Sequence, residues 1–360
     1  MIRVFEVPSR QSEMMVMIKL LAVIVLCFTV AASSVAQTGG VDVSKTGTTA
    51  ATFLEIGVGA SAIGMGGAYV SVADNSTALH WNPAGIASLL RTDVAAVHTN
   101  WIADTKFDFV GVVLPLQSFG TLGFSLTSLS MGDMKVRTVD FPEGTGEYFS
   151  AGDLSAAISY SHQLTERFAI GITAKYIQQT IWHESANGFA IDAGTIFKTD
   201  LLGGMTIGAA LTNFGTSMQM SGRDARQFVR LDPTKLGTND QIPTAIEFDS
   251  WDLPLSFQFG LSTRVFDNSE YRWIVAVDAV HPNDNYESIN AGTEFSFSDV
   301  LFLRAGYESL YLDRSEGGLS LGFGVATSDF FGAMRVGFDY AYQDMGRLQS
   351  VHVFSVGLRF

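Results

Sequence analysis

Cysteine is almost absent from this sequence of 360 residues, and positive charge is scarce. Cys27 lies in an apolar stretch near the N-terminus. A chain that loses this stretch can form neither disulfides nor cysteine-based metal sites, and it has no cysteine nucleophile. Lysine and arginine number 22 against 36 aspartates and glutamates, which gives a formal net charge of −14. Without a basic cluster to neutralise a phosphate backbone, nucleic acid is excluded as a partner.

Long apolar runs are also missing beyond the N-terminus, although the chain is hydrophobic. The composition is 47% hydrophobic and 16% charged, and the mean hydropathy is +0.23. No later run approaches the ~20 apolar residues of a transmembrane helix. The apolar residues are therefore spread over many short segments, and the 36 glycines and 27 phenylalanines fit short strands with tight turns.

Patterns that carry chemistry are missing as well. The six histidines are scattered without ligand spacing, and no Gly-x-Ser-x-Gly elbow occurs. We therefore expect no catalytic residues, no metal and no cofactor, and we expect that the protein is not an enzyme.

The N-terminus has the pattern of a secretory signal. Lys19 precedes the apolar stretch 20–30, and small residues follow it. Ser34-Val35-Ala36 has the form of a cleavage site, which predicts a signal peptide over residues 1–36. A membrane anchor is the alternative, but the stretch is short and no stop-transfer charges follow it.

From residue 93 onwards the residues alternate with a period of two. The last segment places bulky apolar residues on one face and mostly small or polar residues on the other. The first face carries Phe354, Val356, Leu358 and Phe360, and the second carries Val353, Ser355, Gly357 and Arg359. An earlier segment assigns to its apolar face Leu255, Phe257, Phe259, Leu261 and Val265. A barrel in lipid turns such an apolar face outward and the small polar face into the lumen.

The alternation predicts an all-β fold, a transmembrane antiparallel β-barrel of about fourteen strands over residues 93–360. Short connections alternate with mostly longer ones, of which 132–150 and 214–254 are the longest. Outer-membrane barrels have short periplasmic turns and longer external loops. We therefore expect the barrel to lie among lipids in the outer membrane of a Gram-negative-type bacterium.

The chain ends on Phe360, which closes an alternating segment. This ending resembles the C-terminal signal that the barrel assembly machinery recognises, so we predict that machinery as a partner.

Charged residues also occupy inward positions: Lys175, Asp192, Arg264, Arg272, Asp278, Glu294, Arg304, Glu308, Arg335, Asp339 and Arg359. They could form a conduction path. Charges in a lumen of low dielectric must be paired, so we favour a structural network.

Residues 53–92 break the rhythm of the strands. Gly64 and Gly66 would let the backbone pack closely against an inner wall. Pro83 keeps Asn82 out of a helix, so that Asn82 can cap the next turn or bond the wall. We predict that residues 37–92 form a compact hatch inside the barrel.

This segment resembles the PorV/PorQ family of outer-membrane proteins, which is related to the FadL-like fatty-acid channels. The matching elements are Phe53-Leu54-x-Ile56-Gly57, Gly64-Met65-Gly66, Val72-Ala73-Asp74 and Trp81-Asn82-Pro83-Ala84-Gly85, then Asn213-Phe214-Gly215 and Leu253-Pro254. The chain departs from the family at Ser61, where a basic residue is common.

The resemblance implies a fourteen-stranded barrel with its N-terminal segment folded into the lumen. It also implies an accessory role in type IX secretion, with the translocon and the C-terminal domains of exported proteins as partners. The alternative is a FadL-like channel for long-chain fatty acids or other hydrophobic small molecules.

The connection 214–254 is the most function-like region outside the hatch, because it mixes apolar with basic residues. Such a loop is either a partner surface or a lid folded over the barrel mouth. As candidate contacts we select Phe228, Arg230 and Trp251.

Overall fold

A computed structural model describes residues 45, 47–201, 204–229, 234, 241–312, 315–327 and 334–360. The predicted signal peptide, residues 1–36, and Arg230 lie outside the described residues. Within the described part, fourteen long strands form one antiparallel sheet that closes into a barrel. None of the described helices is long and apolar enough to cross a membrane.

We number the barrel strands β1 to β14 in chain order. Their bounds are Asp93–Asn100, Lys106–Pro115, Thr121–Ser130, Ala151–Thr165, Phe168–Ile181, Glu184–Thr199, Met205–Gly215, Ser256–Asp267, Tyr271–Pro282, Ser288–Phe297, Leu301–Leu310, Leu319–Ala326, Arg335–Asp344 and Ser350–Arg359. Each strand pairs with its neighbours in the chain, and Ala96 of β1 faces Val356 of β14. The predicted fold class is confirmed.

The two ends of the barrel differ in their connections. At the end where β1 begins and β14 stops, the connections are short: 116–120, 166–167, 200–204, 268–270, 298–300 and 327–334. The opposite end carries 101–105, 131–150, 182–183, 216–255, 283–287, 311–318 and 345–349. By the rule for outer-membrane barrels, the first end is periplasmic and the second is external.

The faces of the strands follow the predicted alternation with one exception. Phe354 and Val356 are exposed on the outside of the barrel, whereas Val353 is buried. Val265 was expected on the apolar outer face, and this expectation is wrong. A β-bulge between Arg264 and Phe266 shifts the register, so Val265 is buried against the lumen and Phe266 is exposed.

The hatch consists of short turns that cross the lumen. Its elements are the 3-10 turn Thr52–Glu55, helix α1 at Ala60–Gly64, helix α2 at Ala78–Trp81 and the 3-10 turn Pro83–Ser88. Hatch side chains such as Phe53 and Met65 share one hydrophobic core with Phe107, Phe109 and Val353 of the wall. These wall residues belong to the external halves of β2 and β14, so this part of the hatch fills the external half of the lumen. Ser76 of the hatch reaches Asp93 at the periplasmic end of β1.

Outside the barrel, one side of the mouth rises above the other. Strands β4, β5 and β6 have 15, 14 and 16 residues, whereas β1 and β12 have 8 each. Three short pairs of strands extend this side. Met134–Lys135 pairs with Tyr148–Phe149, Met218–Gln219 pairs with Ser250–Trp251, and Arg226–Val229 pairs with Ile242–Ala245. Ser221–Gly222 pairs with β6. We call the connections 131–150, 182–183 and 216–255 the external crest.

The outward face of β2 offers a test of the membrane depth. Val110 lies in the middle of β2 and is 47% exposed, so Val110→Arg should cost about 2–4 kcal/mol near the bilayer midplane. Val336 is the second residue of β13, beside the periplasmic end, so Val336→Arg should cost about 0–1 kcal/mol. Urea unfolding in lipid vesicles, read by the gel shift between folded and boiled protein, measures both losses. Equal losses would contradict the assigned depth.

Candidate functional site

The turn Trp81-Asn82-Pro83-Ala84-Gly85 is anchored both to the rest of the hatch and to the wall. The Asn82 side chain accepts a hydrogen bond from the Ala84 amide at 3.1 Å, and it donates to the carbonyl oxygens of Val70 at 2.9 Å and Thr195 at 3.1 Å. Asn82 therefore caps the turn and bonds the wall at once. Trp81 donates from Nε1 to the Val58 carbonyl at 2.7 Å. These bonds satisfy buried backbone groups that have no water to bond.

Close approach between hatch and wall depends on glycine. A side chain at Gly66, whose φ is +63°, would come within 2.5 Å of the Tyr307 nitrogen, and one at Gly64 would come within 2.9 Å of the Gly322 Cα. The wall mirrors this pattern, because a side chain at Gly306 would overlap Met65 and Gly66. Other wall glycines that touch the hatch backbone or its side chains are Gly111, Gly123, Gly171, Gly194, Gly208, Gly260 and Gly292.

Two aspartates of the wall accept hydrogen bonds from the hatch backbone. Asp278 Oδ2 accepts from the amides of Tyr69 at 2.7 Å and Val70 at 2.8 Å. Asp93 Oδ1 accepts from the Ser76 amide at 2.9 Å and from the Ser76 hydroxyl at 2.6 Å. The sequence patterns named Asp278 as an inward charge and missed Asp93, although its place in the alternation of β1 gives it the inward side.

The second family motif, Asn213-Phe214-Gly215, lies at the base of the crest. Asn213 has a left-handed φ of 63°, and its amide donates to Asp192 Oδ1 at 2.8 Å. Lys175 Nζ lies 2.7 Å from Asp192 Oδ2 and donates to Asn213 Oδ1 at 2.8 Å. Asn213 Nδ2 donates to the Pro254 carbonyl at 3.0 Å.

The hatch also contains a histidine, His80. Burial lowers its pKa to about 3 and the Lys175 charge adds to the effect, so this histidine stays neutral.

Several other inward charges are also paired. Arg304 lies 2.6 Å from both Glu294 and Asp339, and Arg359 lies 2.7 Å from Asp93. Glu308 accepts a hydrogen bond from Gln343. Pairing of this kind is what the structural network requires.

A cavity of about 890 Å³ lies on the periplasmic side of the hatch. Periplasmic-end residues such as Asp200 and Asp267 line it, and so do Gly337 and the charged side chains of Arg272, Glu294, Arg304 and Arg359. Asp74 of the hatch motif projects into it. Enclosure in the lumen raises the pKa of Asp74, and the Glu294 carboxylate adds to the rise. The cavity is thus polar and charged, unlike a pocket for apolar ligands.

The candidate loop residues stand on the crest and point into solvent. Phe228 is 70% exposed and Trp251 is 46% exposed, on hairpins whose strands are hydrogen-bonded. Arg230 lies outside the described residues. Met218 and Leu253 of the same connection are buried. The connection therefore packs its base against the barrel and presents its aromatic residues outward. Ser61, where the family pattern differs, is buried, and its hydroxyl lies 3.3 Å from the Tyr69 hydroxyl.

Comparison with known proteins identifies the family of this chain. A family model described as "Type IX secretion system protein PorV" matches residues 41–226, just over half of the chain. No curated protein matches it. Among solved structures, the Pseudomonas putida toluene transporter TodX is 14% identical with a TM-score of 0.52, covering 84% of this chain and 97% of that one.

Two further structures resemble the chain to the same degree. The CymD monoaromatic hydrocarbon channel is 13% identical with a TM-score of 0.53, covering 84% of this chain and 97% of that one. The Ralstonia pickettii toluene transporter TbuX is 11% identical with a TM-score of 0.50, and the coverage is again 84% and 97%. At such low identity these likenesses show a shared fold and nothing more.

The glycine contacts predict a selective effect of small substitutions. Gly306→Ala should displace the hatch and cost about 1–3 kcal/mol, because the new methyl group overlaps the Met65 and Gly66 backbone. Gly337→Ala is the matched control, since it also lines the lumen but has open space beside it. Thermal unfolding and protease cleavage of the hatch measure the difference. Equal stability of the two variants would contradict the close packing.

Phe360 gives a second test. Its amide donates to the Thr92 carbonyl at 3.0 Å and its side chain is 55% exposed, so the ring contributes little to packing. Deletion of Phe360 should lower the amount of protein in the outer membrane and leave export to the periplasm intact. Immunoblots of separated membranes measure both. Unchanged outer-membrane levels would show that Phe360 is merely the last residue of an ordinary strand.

Proposed function

The chain belongs to the family of the type IX secretion system protein PorV, and from this premise we propose that it is an accessory protein of type IX secretion. In this role it binds exported proteins, or the translocon, at the outer membrane. The observation that carries the proposal is the external crest, which presents exposed aromatic side chains on hydrogen-bonded hairpins.

The crest has the composition that a protein partner requires. Exposed aromatic residues occur on all three of its connections. They are Phe141 and Tyr148 on 131–150, Trp182 on 182–183, and Phe228 and Trp251 on 216–255. Specific interfaces bury roughly 800 Å² per partner, and aromatic residues dominate their hot spots. Isolated apolar residues on a surface need no explanation, but a raised group of aromatics typically marks an interaction site.

Contacts between neighbouring connections join the parts of the crest. Glu184 Oε1 accepts from the amides of Asp224 at 2.8 Å and Ala225 at 3.3 Å. His183 Nδ1 lies 2.7 Å from Asp224 Oδ2. The Phe149 and Trp182 rings lie 6.4 Å apart. A surface that is ordered before binding loses less conformational entropy when the partner arrives.

The packing of the hatch in the lumen supports the same proposal. The hatch fills the external half of the barrel with hydrophobic side chains, and its backbone is bonded to Asp93, Thr195 and Asp278. A molecule that passes through the lumen would have to break these contacts. A binding platform needs no such movement.

A channel for hydrophobic small molecules is the second candidate, and the fold shared with toluene and monoaromatic hydrocarbon channels favours it. It requires an apolar pocket behind the hatch and a lateral gap in the wall. The cavity behind the hatch is lined by charged side chains such as Arg272 and Glu294, which weakens this candidate.

Photo-crosslinking in intact cells tests the choice. Crosslinkers at Phe228 and Trp251 should capture a large outer-membrane protein, or exported proteins that share a C-terminal domain. Tyr311 is the matched control, because it is an aromatic residue with 74% exposure on the external connection 311–318, away from the crest. A crosslinker there should capture neither.

Two results together would favour the channel instead. Crosslinks from both crest positions would be confined to the barrel itself, and a deletion strain would take up long-chain fatty acids slowly.

A further inference from the structure

The leading end of the hatch lies at the external mouth of the barrel. Thr49 forms a parallel bridge with Asp252, and the Ala50 amide donates to the Asp252 carbonyl at 2.8 Å. Lys45 Nζ lies 6.0 Å from the centroid of the Tyr286 ring. Asp252 stands at the base of the crest and Tyr286 in the external connection 283–287. The hatch therefore runs from the external mouth down to Thr92 at the periplasmic end.

A second contact fastens the same end to the connection 283–287. Thr49 Oγ1 donates to Asp284 Oδ2 at 2.7 Å. Asp284 is 7% exposed, and its Oδ1 atom is buried without a hydrogen-bond donor among the described residues. The Glu55 carboxyl group lies within hydrogen-bonding reach of Asp284. A proton on Glu55 would supply the missing donor, whereas two ionised carboxylates would repel each other.

We infer that residues 47–55 form a surface-exposed clasp, which ties the hatch to the base of the crest through a carboxyl–carboxylate hydrogen bond between Glu55 and Asp284. The clasp does not depend on the proposed function, because its contacts lie within one chain. It couples the position of the hatch to the crest, and it weakens when Glu55 loses its proton.

A shared proton fits this site better than a calcium ion. Calcium takes six to eight oxygen ligands, usually several of them carboxylates. Here two carboxyl groups meet one hydroxyl group, and that hydroxyl already donates to Asp284. The described residues contain no group of three or more acidic, histidine or cysteine side chains that could hold a metal.

The electrostatics give the sign of the pH dependence. Glu55 is exposed at the barrel mouth, but the protein around its carboxyl group excludes part of its hydration and raises its pKa to about 8, and the Asp284 carboxylate adds to the rise. The stabilisation that the Glu55–Asp284 hydrogen bond gives to the clasp is therefore fully present below the pKa of a free glutamate, near 4.5, and is lost as the pH rises through about 8. The titratable groups on the segments around it are Lys45, Asp153, Asp252, His281, Asp284, Tyr286 and Glu287.

Single cysteines test the topology, because cysteine is absent after residue 36. Lys45→Cys should react with a membrane-impermeant maleimide on intact cells. Ser269→Cys, in the exposed periplasmic turn 268–270, should react only after the outer membrane is opened. Failure of Lys45→Cys to react on intact cells, with reaction after opening, would overturn the inference.

A buried cysteine tests the proton. Ala51 is 2% exposed, and its amide donates to Gln179 Oε1 at 3.0 Å. The measured quantity is the rate of labelling of Ala51→Cys in purified barrels divided by that of Lys45→Cys, a ratio that removes the titration of the thiol. If one pKa unit of the Glu55 shift comes from the clasp, this ratio should rise about tenfold from pH 5 to pH 9. Glu55→Gln keeps a donor that does not titrate, so the ratio should stay low and flat.

Asp284→Asn checks the partner, and its ratio should also lose the pH dependence. The gel shift between folded and boiled protein confirms that each variant forms a barrel. An unchanged pH profile in Glu55→Gln would overturn the shared proton. Labelling that follows calcium at constant pH would place a cation between the carboxylates and overturn it as well.

Discussion

The structure depends on one constraint: the hatch backbone lies in a lumen where its polar groups must bond the wall. Each buried amide or carbonyl group left without a partner would cost roughly 1–3 kcal/mol. Asp278, Asp93 and the Thr195 carbonyl satisfy these groups directly. Such bonds are possible because the wall carries glycine where the hatch passes, so that backbone meets backbone without an intervening side chain.

The small inward face of the strands has its explanation in this constraint. From the sequence, alternating glycine, serine and alanine could be assigned to the lumen, and the burial of Gly208, Gly292 and Ser355 agrees with that assignment. A barrel that holds only water has no need of glycine at these positions, because small or charged side chains would serve as well. The glycines face Val70, Ser71 and Met65 of the hatch, so the composition of the wall records the path of the hatch.

Much of the fold could be predicted because side-chain period and connection length are local properties. The strand positions and the two ends of the barrel follow from them, and the Asn82 turn follows from the proline after it. Val265 could not be placed, because a bulge is set by pairing with β9 and leaves little trace in the alternation. Asp93 was missed as a hatch partner for a related reason. Its inward side is visible in the sequence, but the contact with Ser76 depends on how the hatch folds.

Only part of the candidate site could be predicted from the sequence, because its geometry depends on contacts between residues that are distant in the chain. Phe228 and Trp251 could be selected by residue type, whereas their exposure depends on the pairing of the hairpins and on Glu184 of β6. The same anchoring has a consequence for binding. A crest fixed to long strands above a filled barrel cannot fold into the mouth without breaking the Asp224, Ala225 and Asp252 contacts. Its aromatic side chains are therefore held in the exposed position that the proposed role in partner binding requires.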